Sequence, residues 1–275
     1  MTTDISIYEV GPRDGLQNLE HTVSINDRVR LIESLANAGL KDIEFGSFVN
    51  PNRVPTMMGA SKLFRQCDNT NANLAALIPN NRGMQDALDA GVEHFNIFFS
   101  PNEDFNMRNL GCYQDEAIES YSEMLFGIPS SKVRVYLSMA FNSPLDSLSK
   151  SIAKAEYLGD TVVLCDTNGY ASPDNMKQVL GLSHKHTALH LHYSSDRSQM
   201  FQNITIAYES GIRDFDTSIA GLGGCPFVKG SRGNLGTGEI ISWAEREGLD
   251  CGVTLDDIKD AEKIAKSLAK QEVLI

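Results

Sequence analysis

The chain of 275 residues carries 24 Lys and Arg against 36 Asp and Glu, a formal net charge of -12. That balance repels nucleic acid and anionic membranes, so neither is an expected partner, and an anionic substrate must be met by a metal ion or a few local Arg and Lys. Hydrophobic residues at 41% and charged residues at 22% exclude a disordered chain and are enough to build a large core. The five cysteines (Cys67, Cys112, Cys165, Cys225 and Cys251) are odd in number and form no CxxC pair. A disulfide framework and a structural zinc site are therefore not expected, and a reducing compartment is. The opening MTTDISIYEV has no basic segment and no apolar signal region, and the apolar runs are far too short to span a membrane. A cytoplasmic location is the expectation, and a homodimer is compatible with it.

Short β-rich runs alternate with helical stretches throughout. Strands are predicted at Ile5–Glu9, Asp42–Phe45, Asn73–Leu77, His94–Phe98, Val133–Ser138, Thr161–Cys165, Thr187–His190 and Asp214–Ser218. The helices between and after them are expected at Ile25–Ala38, Met57–Gln66, Gly83–Ala90, Gln114–Phe126, Ser147–Leu158, Pro173–Leu182, Arg197–Ser210 and Gly236–Glu247, with one more at Leu255–Ala269. Gly39, Gly91, Gly159 and Gly211 each follow a predicted helix, where glycine stops helices. Eight strand–helix units in this length predict a (β/α)8 TIM barrel with an additional C-terminal helix, as one catalytic domain over residues 1–275. An open doubly wound sheet is the runner-up, but no GxGxxG follows the first strand.

In such barrels the reactive groups sit just past the C-terminal ends of the strands. Collected there are Arg13 and Asp14 after the first strand, Glu44 in the second, Asn102 after the fourth, Asp166 after the sixth, His190 and His192 at the seventh, and Asn234 in the segment after the eighth. His190 and His192 are two apart, so in a regular strand both imidazoles face one way and can hold one ion. With Asp14 and Asn234 at the same rim, the four make a mixed nitrogen and oxygen set suited to Mg2+ or Mn2+; zinc is less favoured because no thiolate is placed as a ligand. Gly11-Pro12 forms a rigid turn that fixes Arg13 at the barrel mouth, where a guanidinium can hold a carbonyl oxygen as it becomes an enolate. Cys225 lies in a glycine-rich run that could close over substrate and carry a proton-transferring thiol.

Four segments carry a resemblance that covers nearly the whole chain. YEVGPRDGLQN (Tyr8 to Asn18), IEFGSFVNPNRVP (Ile43 to Pro55), CDTNGYASP (Cys165 to Pro173) and AGLGGCPFVKGSRGN (Ala220 to Asn234) resemble motifs of the hydroxymethylglutaryl-CoA lyase family. The resemblance implies metal ligation by Asp14, His190, His192 and Asn234. It also implies that Arg13 steadies the enolate of the leaving acetyl-CoA, that His190 has an acid–base role, that Cys225 donates or takes a proton, and that Glu44 and Asp166 support the site. Gln17, in the first motif, together with Asn102 and Tyr193, is expected to contact substrate. The implied reaction is retro-Claisen cleavage of hydroxymethylglutaryl-CoA to acetyl-CoA and acetoacetate.

The departures from the family pattern lie at the rim. Tyr193 stands where the family has Asp after the second metal histidine, and Asn102 where it tends to have Ser. The Ser138–Pro144 loop is short and lacks the family's Cys. Leu19-Glu20 replaces a basic residue, and Gly238 replaces an acidic one, with Glu239 beside it. These changes leave open a different 3-hydroxyacyl-CoA or 2-oxo acid as substrate. A non-catalytic relative that only binds metal or CoA is the rival from another class; retention of both Arg13 and Cys225 counts against it.

Overall fold

The structure is a computed structural model and describes residues 3–67, 69–182, 186–193, 197–223 and 233–270. Its strands are β1 (Ser6–Glu9), β2 (Asp42–Ser47), β3 (Asn73–Leu77), β4 (His94–Phe99), β5 (Val133–Leu137), β6 (Thr161–Cys165), β7 (Thr187–His190) and β8 (Asp214–Thr217). Each pairs in parallel with the next, and β8 pairs with β1 through Ser6 opposite Asp214 to Glu9 opposite Thr217, so the sheet closes. The open-sheet alternative is excluded.

The surrounding helices are α1 (Ile25–Asn37), α2 (Ala60–Cys67), α3 (Asn81–Ala90), α4 (Glu103–Asn109), α5 (Gln114–Met124), α6 (Leu145–Leu158), α7 (Pro173–Leu180), α8 (Arg197–Glu209), α9 (Thr237–Glu247) and α10 (Lys259–Ala269). The main core lies between them and the outward face of the barrel, where Ile43, Phe45, Phe99, Leu137, Leu189 and Phe215 are buried. The additional C-terminal helix, α10, packs on α1. His21 Nε2 meets the Leu268 carbonyl at 2.9 Å and ties α10 to the segment ahead of α1.

The structure corrects several sequence expectations. The helix expected at Met57–Gln66 is a short 3-10 turn, Pro55–Met57, then α2, separated at Gly59, whose φ is +83°. The last helix starts at Lys259, not Leu255. Helix α4 was not anticipated; it is a short segment whose start is capped by the Asn102 side chain accepting from Phe105 N at 2.9 Å. Gly39, Gly91 and Gly211 have the left-handed φ of helix-ending glycines, but Gly159 is extended. Gly159 is required for space instead: a Cβ there would lie 2.7 Å from the Val133 carbonyl oxygen and 2.9 Å from Val135 Cγ2.

Inside the barrel the filling is unusually polar. Tyr8 of β1 donates to Asn96 Oδ1 of β4 at 3.2 Å, and Arg134 of β5 reaches Asp214 and Asp216 of β8; neither strand pair is adjacent, so both contacts cross the interior. Among the described residues, the apolar ones there form two small groups, one around Tyr136, Val163, Cys165 and Ala188 and the other Tyr8, Val10 and Ala75. Polar groups in such a place are tolerated only if they find partners, and this set is joined almost continuously.

The close approach at Gly159 generates a stability prediction. Gly159→Ala should lower stability by about 1–3 kcal/mol, because the methyl group forces the start of β5 away from the end of α6. Chemical denaturation would measure it, and an unchanged midpoint would show that the joint has slack.

Candidate active site

The chain leaves β1 through a five-residue π-type turn, Gly11–Gly15, in which the Val10 carbonyl accepts from Asp14 N at 2.8 Å. Pro12 occupies the start of this turn, where its missing N–H costs nothing. The turn aims Arg13 and Asp14 at the barrel mouth. Arg13 is buried, with Nε donating to Glu44 Oε2 at 2.5 Å and Nη1 to Asp14 Oδ1 at 2.7 Å. Glu44 is held in turn by Asn96 Nδ2 at 2.8 Å. Two edges of the guanidinium are thereby fixed, leaving Nη2 for an incoming oxygen.

On the opposite side, β7 ends at His190, and the chain continues beyond it as Leu191-His192-Tyr193. That segment lies beside Gly233–Gly236: Leu235 N donates to the Leu191 carbonyl at 2.9 Å and Tyr193 N to the Gly233 carbonyl at 2.8 Å. His192 is thus paired opposite Asn234 and is not part of the regular strand. Asp14, His190 and His192 each offer a ligand atom, and these atoms all lie within 4.8 Å of one another. Asn234 joins them, with Oδ1 at 3.1 Å from His190 Nε2 and Nδ2 at 2.7 Å from Asp14 Oδ2.

The hydrogen bonds around Asn234 and His190 determine what can sit between them. Asn234 Nδ2 donates to the Leu222 carbonyl at 2.9 Å, which directs Oδ1 toward His190. His190 Nδ1 meets Asp216 Oδ2 at 3.0 Å, and a carboxylate there can only accept, so Nδ1 carries the proton. A neutral His190 then presents the lone pair of Nε2 to the lone pairs of Asn234 Oδ1. Two acceptors at this separation need a cation between them, either a proton on the ring or a metal ion. His192 Nδ1 is a second buried nitrogen with no hydrogen-bond partner among the described residues. These orphaned lone pairs beside the Asp14 carboxylate fit a divalent cation. Gly223 allows the close packing, since a Cβ there would fall 2.2 Å from Asn234 Nδ2.

The protonation states agree. Burial would raise the Asp14 carboxyl, but the charges of Arg13, His190 and His192 and the Asn234 hydrogen bond bring it down to about 2. Burial and the neighbouring His190 lower His192 to about 4, so its ring is neutral at pH 7. Burial also opposes protonation of His190, yet the Asp216 hydrogen bond and the charges of Asp216 and Asp14 outweigh it and raise its pKa. Once its Nε2 proton is displaced, His190 is an imidazole oriented by a carboxylate on its other nitrogen, the common arrangement of a metal-ligating histidine.

A model of the family described as HMGL-like matches residues 4–265. The chain belongs to this family. It is 34% identical over 267 residues to the hydroxymethylglutaryl-CoA lyase of Pseudomonas mevalonii, covering 92% of this chain and 89% of that protein. A crystal structure of the Bacillus subtilis HMG-CoA lyase superposes with a TM-score of 0.89 at 31% identity, over 98% of this chain and 95% of that one. An HMG-CoA lyase from Acinetobacter baumannii, solved in complex with coenzyme A and 3-methylmalate, superposes with a TM-score of 0.88 at 26% identity, over 99% of this chain and 94% of that one.

The other residues singled out from the HMGL-like motifs are distributed around this centre. Asp166 is buried, and its Oδ1 accepts from Tyr170 N at 2.6 Å, closing the turn after β6. Gln17 is half-buried, and its carbonyl accepts from Thr56 Oγ1 at 2.7 Å, joining the rim loops that follow β1 and β2. Asn102 is engaged in capping α4. The Tyr193 hydroxyl donates to Glu239 Oε2, which also accepts from Gly236 N at 3.0 Å. Two of the rim departures, Tyr193 and the Gly238-Glu239 pair, therefore meet in space. Cys225 lies outside the described residues. Sequence reasoning missed Asp216, Asn96 and Arg134; the signal was their shared inward parity on β8, β4 and β5.

Since Asp14 and His192 are already deprotonated near neutrality, metal binding should release one proton, from His190. Affinity for Mn2+ should tighten by about tenfold per pH unit below the raised His190 pKa and level off above it. Calorimetry in buffers of different ionisation enthalpy would count the proton. An affinity independent of pH between 6 and 8 would contradict this assignment.

Proposed function

We propose that this chain is a divalent-metal-dependent carbon–carbon lyase that cleaves hydroxymethylglutaryl-CoA to acetyl-CoA and acetoacetate. The observation that carries the reading is Arg13, clamped by Glu44 and Asp14 directly beside the Asp14, His190, His192 and Asn234 cluster. Retro-Claisen cleavage needs a tertiary alcohol that gives up its proton and a stabilised thioester enolate; the Asp14 carboxylate in the cluster is deprotonated and available to take that proton, and Arg13 is placed to hold the enolate. Membership of the HMGL-like family, and relatives named for this activity over nine-tenths of the chain, point the same way.

Asp14, His190 through Nε2, His192 and Asn234 through Oδ1 would hold Mg2+ or Mn2+, which would supply Lewis acidity to a coordinated alcohol. Asp14 balances charge on two fronts, facing both the cation position and Arg13. Arg13 Nη2 takes the thioester carbonyl oxygen and holds it as negative charge develops when the carbon–carbon bond breaks. Because Glu44 and Asp14 hold the guanidinium in place beforehand, little reorganisation is needed at that moment. The enolate carbon then takes a proton, a role assigned on sequence grounds to Cys225. Gln17 belongs to the adjoining rim on the substrate side.

Asn102 and Tyr193 are both engaged by the fold, in the α4 cap and in the Glu239 contact, which favours the family substrate over a different hydroxyacyl thioester. The described cysteines, Cys67, Cys112, Cys165 and Cys251, are unpaired, which suits a reducing compartment such as the cytoplasm. No described helix is long and apolar enough to cross a membrane.

Steady-state assay of acetoacetate release with Mg2+ or Mn2+ tests the proposal. A kcat/KM of about 10⁴ M⁻¹s⁻¹ or more for hydroxymethylglutaryl-CoA is expected. Arg13→Gln should cut turnover by at least 10²–10³-fold, roughly 3–4 kcal/mol of transition-state stabilisation, while leaving Mn2+ binding in place. No detectable turnover by the metal-loaded protein, or an Arg13→Gln enzyme of near-normal rate, would refute the assignment.

A further inference from the structure

The barrel interior holds a charged group that none of the steps above uses. Arg134, the second residue of β5, lies below the rim with its side chain 12% exposed. Its Nη1 donates to Asp214 Oδ2 at 2.7 Å and its Nη2 to Asp216 Oδ1 at 2.6 Å. The other oxygen of Asp216 accepts from His190 Nδ1 at 3.0 Å. Asp216 is therefore a fully buried carboxylate with one oxygen on Arg134 and the other on a proposed metal ligand. The guanidinium carbon also stacks 3.9 Å from the centre of the Tyr8 ring, and the Tyr8 hydroxyl is fixed by Asn96. This arrangement fills one side of Arg134 with an aromatic face and one edge with two acids, so it cannot swing away from Asp216.

We propose that Arg134 is a positioning residue for the metal site, acting through Asp216 to hold the His190 ring with Nε2 turned toward Asp14 and Asn234. Asp214 and Asp216 are alternate residues on the same inward face of β8, and Arg134 spans both, with one guanidinium nitrogen on each. Deprived of Arg134, Asp216 loses the contact that fixes the plane of its carboxylate. The His190 ring then loses the fixed partner that holds Nε2 turned toward Asp14 and Asn234. Groups that orient a metal-ligating histidine typically contribute 10–100-fold in metal affinity.

The inference rests on the proposed metal site, and the test separates the two. Mn2+ affinity is measured by calorimetry, without substrate, for the wild type, Arg134→Gln, Arg134→Lys, Asp216→Asn and the Arg134→Gln/Asp216→Asn double variant. Arg134→Gln is expected to weaken Mn2+ binding by ~10-fold or more. Arg134→Lys, which keeps the charge and one contact, should recover part of that loss. The double variant should bind no more weakly than Asp216→Asn alone, because both substitutions break one chain of contacts. If Arg134→Gln fails to fold, the Lys variant decides: reduced Mn2+ affinity at retained fold supports the role. Unchanged Mn2+ affinity in whichever variants fold, or losses from Arg134 and Asp216 that simply multiply, would overturn it. A wild type that binds no Mn2+ would overturn the metal site and this role together.

Discussion

Two hydrogen-bond acceptors face each other at the mouth of this barrel, and most of the surrounding structure is arranged to keep them there. Asn234 Oδ1 is turned toward His190 because its amide nitrogen is bound to the Leu222 carbonyl and to Asp14. His190 Nε2 is turned toward Asn234 because its other nitrogen is bound to Asp216. Lone pair against lone pair at 3.1 Å is unfavourable unless a cation lies between. With the Asp14 carboxylate and the His192 Nδ1 that has no hydrogen-bond partner among the described residues beside them, the arrangement can take either a proton on His190 or a metal ion.

The contacts that hold these groups form a circuit that is closed only across the His190–Asn234 gap. From Arg13 it runs through Glu44, Asn96 and Tyr8, crosses by stacking to Arg134, and returns through Asp216, His190, Asn234 and Asp14. It occupies the barrel interior, where most such barrels place branched apolar layers. Hydrophobic stabilisation is left to the outer shell between strands and helices. Buried charges of this kind contribute little net stability, and removing one partner is costly. The division is therefore between an outer core that holds the fold and an inner network that sets angles and protonation states.

Sequence reasoning reached the outer layer and the four proposed ligands more easily than the network behind them. Runs such as Asn73–Leu77 and Thr161–Cys165 are apolar and bounded by turn residues, and the structure has strands over those same residues. Helix α4 escaped because a seven-residue polar segment has little periodicity, and its start is set by Asn102, read instead as a substrate contact. Arg134, Asp214 and Asp216 lie within apolar strand runs, where a charged residue resembles an edge or an error until its partner across the barrel is known. Gly159 looked like an ordinary helix stop, whereas the approach of the Val133 carbonyl sets its identity, a contact between residues far apart in sequence. The rim departures show the same limit: Tyr193 and Glu239 lie 46 positions apart, and only the antiparallel pairing of Leu191–Tyr193 with Gly233–Gly236 brings them together.

Anomalous diffraction from crystals equilibrated with Mn2+ tests the requirement for a cation most directly. The account predicts one strong peak within ~2.0–2.6 Å of an Asp14 carboxylate oxygen, His190 Nε2, Asn234 Oδ1 and a ring nitrogen of His192. A Mn2+-saturated crystal with no peak there would contradict it.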